Sequence, residues 1–290
     1  MPLPSGLSPP AMVTCAIRPY FQIPGISAAS GILYHDRTLY LIADNSQYLY
    51  VFDPATDRCS TVPLAADPAE HIPKPAKPDV ESLTLYKNRI YAFGSGSKPN
   101  RCLLYIYDLR SGSVVTEDLS ARYESLQRSA SVPASEFNIE GAVFRDGHWL
   151  FFQRGNGAGG CNGVFISRNE PGNAVRFVPV HLPDIDGFAA SFTDATTVGD
   201  AIFFLASAED TKSTYEDGTI IGSIFGRMNP ENYHVEDVMM IPGRHKFEGL
   251  TFYRQTETAL EFLVCEDSDS DEKTATIYLM TVPRALSYNP

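Results

Sequence analysis

The sequence predicts an all-β fold, a five-bladed β-propeller with four antiparallel strands per blade, and three observations carry that expectation. A carboxylate or hydroxyl followed by a short apolar run recurs at Ser30, Glu81, Glu140, Thr193 and Glu248, at spacings of 51, 59, 53 and 55 residues, about the length of one four-stranded blade. Each recurrence opens the same succession: two apolar runs joined by a tight turn, a variable loop, then a third and a fourth run. The last copy stops after its third run, while VTCAIRPYFQIP (13–24) stands unpaired ahead of the first. That N-terminal strand is expected to join the last blade and close the ring, which covers sheet edges that otherwise invite aggregation.

The elements follow in order. In the first copy SGILY turns through HDRT into LYLIA, and the loop DNSQ leads to YLYVFD and CSTVPL. In the second, ESLTLY turns through Lys-Asn into IYAFG, and SGSKPNR leads to CLLYIYDL and SVVTEDL. A stretch around Ala121–Ser129 is the best helical candidate and links the second copy to the third. EGAVF then turns through RDGH into WLFFQ, and the Gly-rich loop RGNGAGGCNG leads to VFISR and AVRFVPVHL. The fourth copy runs TDATTV, Gly-Asp, AIFFLA, a long loop over 207–219, IIGSIFGRM and HVEDVMMIP; the fifth runs EGLTFY, RQTET, ALEFLV, an acidic loop and ATIYLMTV. β-Branched and aromatic residues fill the runs, and Gly, Asn and Asp fill the turns, each where its backbone preference is needed.

The net charge of −12 excludes non-specific nucleic-acid binding, which needs a basic surface. No apolar run approaches the roughly 18 residues of a membrane span. Residues 1–11 read as a Pro-rich mobile tail without the basic and apolar regions of a signal peptide, and 12–290 as one propeller domain. The five cysteines form no CxxC pair, which suits a reducing compartment and predicts a cytoplasmic protein; Cys161, in the Gly-rich loop, is the expected exposed thiol.

In a propeller the first strand of each blade lies nearest the central channel. The second strand returns antiparallel, so the start of the first shares a face of the ring with the variable loops. The five anchors are therefore expected to converge on the axis. In blade four, hairpin length selects Thr193, with Ser191 as the alternative hydroxyl. Residues two positions earlier lie on the same side of an extended strand: Ala28, Asp79, Asn138, Ser191 and Lys246 form a second ring nearer the mouth.

Converging carboxylates need protons or a cation. Oxygen ligands without His or Cys suit a hard ion, and calcium accepts about six to eight oxygens in flexible geometry. The metal candidates are thus Ser30, Glu81, Glu140 and Glu248 with Ser191 or Thr193. The alternative is that the glutamates line a wet channel or pair with Lys246 or an arginine. On the loop face, Asp79, Asn138, Lys98, Arg154 and Lys246 are the candidate contacts for an anionic ligand, with Arg101, Arg244 and His245 as further cations. Asp44, Asn45, Asn156, Glu209 and Glu266 are candidates to orient that ligand or hold a second ion.

The run EDSDSDE (266–272) lacks the Gly and the final Glu of an EF-hand and reads as a solvated acidic loop. RGNGAGGCNG leads into a strand rather than a helix, so it is not a P-loop. No GxSxG elbow or HExxH helix occurs.

The ring of Ser30, Glu81, Glu140, a blade-four hydroxyl and Glu248 resembles the central calcium site of the five-bladed calcium-activated nucleotidases (apyrases). The EG-type strand starts at 140–141 and 248–249 also resemble those of bacterial phytase-like and SdiA-regulated-like propellers. The resemblance implies calcium as the cofactor. Two functions follow as expectations: a propeller that binds a central divalent cation and presents a loop face to an anionic small molecule or a protein partner, or a calcium-dependent hydrolase of a phosphorylated or other anionic small molecule. In the second, Asp79 or Glu266 is the candidate base, with Arg154 and Lys246 as clamps.

Overall fold

Among the described residues, twenty strands pair into five antiparallel sheets of four. The computed structural model describes residues 14–157, 159–168, 175–210, 218–267 and 273–284. The tail at 1–11, the middle of the 207–219 loop and most of the acidic run lie outside that range. Strand β1 (Ala16–Pro24) comes first in the chain but belongs to the last sheet. Blade one is β2 (Ala29–His35), β3 (Thr38–Ala43), β4 (Tyr48–Asp53) and β5 (Arg58–Pro63). Blade two is β6 (Val80–Tyr86), β7 (Arg89–Gly94), β8 (Leu103–Asp108) and β9 (Val114–Asp118). Helix α1 (Ser120–Ala130) follows, where the sequence places it. Blade three is β10 (Ile139–Arg145), β11 (His148–Gln153), β12 (Gly163–Arg168) and β13 (Arg176–Pro179). Blade four is β14 (Ser191–Val198), β15 (Ala201–Asp210), β16 (Thr219–Met228) and β17 (Val235–Ile241). Blade five is β18 (Phe247–Gln255), β19 (Ala259–Glu266) and β20 (Thr274–Pro283), and β1 completes it, running from Ala16 opposite Thr281 to Pro24 opposite Thr274. The expected ring closure is therefore present.

The tight turns have the chemistry their sequences suggest. Asp36-Arg37, Lys87-Asn88 and Asp146-Gly147 all have positive φ at both positions, the conformation in which a two-residue hairpin matches the twist of its strands. Between the blades lie five apolar clusters, one per interface. Blades three and four meet through Phe152, Phe192 and Phe204; blades four and five through Phe203, Phe225 and Phe262. Helix α1 seats Tyr123 and Leu126 in the cluster between blades two and three. Each such fully buried side chain contributes about 1.5–3 kcal/mol, which makes the interfaces the main source of stability. The five cysteines are free thiols, and the exposed one is Cys59 rather than Cys161, which is half-buried.

Candidate functional site

The five anchors share one backbone device. In every blade the pairing between first and second strand slips by one residue at the anchor: Ser30, Glu81, Glu140, Thr193 and Glu248 are each the extra residue of a β-bulge. A bulge re-aims the side chain it carries. The residue after the anchor faces the next blade at close range. A Cβ on Gly141 would meet Ala195 N at 3.0 Å, and one on Gly249 would meet Ile32 N at 3.0 Å, which explains the Gly of the EG starts. Blades two and four instead carry Ser82 and Asp194 here. They accept hydrogen bonds from Ala142 N and Leu250 N of the following blade, both at 2.7 Å.

At the loop face the channel opens into a cavity of about 200 Å³ walled by Glu81, Glu140 and Glu248 together with Asp79, Asn138 and Lys246. The residue two positions before each glutamate decides its fate. Lys246 Nζ lies 2.9 Å from Glu248, and Asn138 donates to Glu140 at 2.6 Å. In blade two that position holds Asp79, an acid, so Glu81 gains no donor; it is only 7% exposed and has no hydrogen-bond or ion-pair partner among the described residues. The basic groups nearby serve Asp79 instead: Lys77 at 2.8 Å and Arg101 at 2.7 Å. Lys77 also pairs with Asp44. Asp79 takes the left-handed backbone conformation, φ 55°, which Asp tolerates better than most residues. Across the cavity, Arg154 bridges Glu140 (3.1 Å) and Glu209 (2.9 Å), and Lys246 also reaches Glu209 at 3.2 Å.

The charges do not balance. Asp44, Asp79, Glu81, Glu140, Glu248 and Asp267 line the cavity, with Glu209 bound behind it; Lys74, Lys77, Arg101, Arg154 and Lys246 oppose them. Among the described residues that line the cavity, acids outnumber bases, and crowded carboxylates take up protons or a cation. The acids respond accordingly. Burial raises the Glu81 carboxyl well above the ordinary range, and the charges of Asp79 and Glu140 raise it further. Burial pushes Glu140 up to about 7, with Arg154 working against the rise and Glu248 adding to it. Burial also acts to raise Asp79, but Lys77 and Arg101 outweigh it and hold that carboxyl below its usual value. One oxygen from each of Asp44, Asp79 and Glu81 lies within 4.8 Å of the others, the spacing of a metal-ligating group.

Of the candidates read from the sequence, Glu81, Glu140, Glu248, Asp79, Asn138, Arg154 and Lys246 meet at this cavity. The hydroxyls do not line it. Ser30 donates to Val80 O and Thr193 to Phe247 O, both at 2.6 Å, so each clasps the strand entry of the next blade. Ser191 is buried and donates to Ser207 O at 3.4 Å. Lys98 stands outside, where its carbonyl accepts from Arg101 N at the 3-10 turn Pro99–Arg101; the turn delivers Arg101 to the cavity in its place. Glu266 is likewise outside the cavity wall and pairs with His245 at 2.6 Å. Sequence reasoning missed Lys77. Its signal was the connector PKPAKPD, in which Lys77 precedes Asp79 by the same two-residue step that links Lys246 to Glu248.

A closed ring of five four-stranded blades with a charged axial mouth defines the class: a five-bladed β-propeller with a polar channel cavity. Residues 25–282 match the Family of unknown function (DUF6929), and the chain belongs to that family. None of the curated proteins matches it. Among solved structures it is similar to Myxococcus xanthus glutaminyl cyclase, at 11% identity over 93% of this chain and 99% of that one, with a TM-score of 0.52. It is also similar to a luciferin-regenerating enzyme (9% identity, 92% and 95% covered, TM-score 0.50). The major Malassezia sympodialis allergen Mala s 1 is a third (11%, 89% and 95%, 0.51). At these identities the likeness is one of fold. Among the described residues no helix is long and apolar enough to cross a membrane.

Proposed function

We propose that the protein is a binding propeller whose axial cavity takes a hard divalent cation, calcium, at Asp44, Asp79 and Glu81, and offers it to an anionic small molecule at the loop face. Glu81 carries this reading: a buried carboxylate with no hydrogen-bond or ion-pair partner among the described residues, beside two further carboxylates. The donor set is all oxygen, as a hard ion requires. The other two glutamates already have cations, Arg154 and Lys246, so the ion belongs on the blade-two side rather than at the centre of the five-fold ring. Lys77 fills the place between Asp44 and Asp79, and its long stem allows the ammonium to withdraw when the ion enters. Bound there, calcium would supply positive charge and open positions for ligand oxygens, while Asn138 and Lys246 orient a ligand from the opposite wall.

The test is a thermal melt of chelator-treated protein titrated with calcium and with magnesium. Calcium at a hundredfold excess over its dissociation constant stabilises a one-site protein by about 2.7 kcal/mol. The rise should vanish in Glu81→Gln and persist in Glu140→Gln. An unchanged melting temperature with either ion would sink the proposal.

A further inference from the structure

The axial cavity has two unlike sides. Asp44, Asp79 and Glu81 stand where blades one and two meet. Across the axis the wall comes from blades three and five, as Asn138, Glu140, Lys246 and Glu248, and blade four sends no described side chain into the cavity. On this far wall each carboxylate has one oxygen engaged and one open. Glu140 Oε1 accepts from Asn138 at 2.6 Å and from Arg154 at 3.1 Å, and Glu248 Oε1 takes Lys246 at 2.9 Å. Among the described residues neither Oε2 meets a donor. Asn138 turns its amide nitrogen to Glu140, so its Oδ1 points away from that carboxylate and also accepts nothing there. Asn138, Glu140 and Glu248 are each no more than 5% exposed.

We infer that the ligand of the axial cavity is a small zwitterionic amino acid, its carboxylate on the blade-two side and its ammonium held between blades three and five. The carboxylate end rests on the calcium reading above; the ammonium end rests on the far wall alone. An ammonium has three donors and no acceptor, which answers three open acceptors: Asn138 Oδ1, Glu140 Oε2 and Glu248 Oε2. It also brings the charge that two buried carboxylates call for. A ligand with anionic oxygens at both ends fails here, because its second end would meet acceptors only. The molecule already holds two ammonium groups in this manner, Lys77 between Asp44 and Asp79 and Lys246 between Glu209 and Glu248. The cavity of about 200 Å³ opens at the loop face, so both charged ends sit inside it while the amino-acid side chain projects toward the loops.

Calorimetry at saturating calcium makes the test, with three probes: L-alanine, L-lactate, which has a hydroxyl in place of the ammonium, and ethylamine, which lacks the carboxylate. Alanine should bind at least about tenfold more tightly than either, since each loses a charge-assisted contact. Glu140→Gln and Glu248→Gln should each weaken alanine at least about fivefold without weakening lactate, a difference that a merely structural role would not produce. Chelation should abolish alanine binding. A calcium-induced rise in melting temperature, with alanine bound no more tightly than lactate, would overturn the inference and leave the calcium site standing. No rise with calcium would overturn both, and alanine binding that survives chelation would overturn the two-ended mode.

Discussion

Glu140 illustrates what one buried acid costs. An unfolded glutamate releases its proton near pH 4.3, roughly, whereas folded Glu140 holds on to about 7. At low pH the group is neutral in both states and contributes nothing. Between the two values the unfolded chain ionises first, so stability falls as pH rises, and the loss is complete above about 7. The stability of Glu140→Gln relative to the parent should therefore improve as pH rises through about 7 and lose that gain at low pH, as read from urea denaturation in chelator. Lys77→Met removes the ammonium that competes for Asp44 and Asp79. Calcium affinity by calorimetry should rise about tenfold, or roughly 1.4 kcal/mol. The glutamates were legible in the sequence because each opens an apolar strand. Lys77 was not, because its role depends on where a proline-rich connector crosses the mouth. Lys98 and Arg101 are three residues apart in one loop, and only the turn between them decides which one reaches the cavity.

The strand starts show the limit of reading elements from a pattern. Repeat length, turn residues and the closing strand are all periodic features, and the structure has them. The bulge leaves no such trace: it is one unpaired residue, and its consequence is that Ser30 and Thr193 turn to a neighbouring carbonyl instead of the cavity. Both are buried, at 1% and 0% exposure. Thr193→Val leaves the Phe247 carbonyl without its donor and should cost about 1–3 kcal/mol in denaturation. The calcium-induced rise in melting temperature should remain, since the hydroxyl is a clasp between blades four and five. A variant that lost the calcium response at unchanged stability would restore Thr193 to the ligand set.

Across the whole molecule, stability rests on a ring that one strand completes. β1 covers the outer edge of β20 over most of its length, and Ile23 is buried in the cluster joining blades five and one. Removing residues up to Pro24 should bare that edge and part of that cluster. Light scattering should then detect more self-association than in the full chain.

The same closure imposes a timetable. Ile17 pairs with Met280, so about 260 residues separate two partners that must meet before the ring exists. At a synthesis rate of about 5–20 residues per second, the first strand waits roughly 15 to 50 s for its mate. Through that interval the nascent chain is an open arc, and a strand made before all five blades' inner strands is the last to find its place.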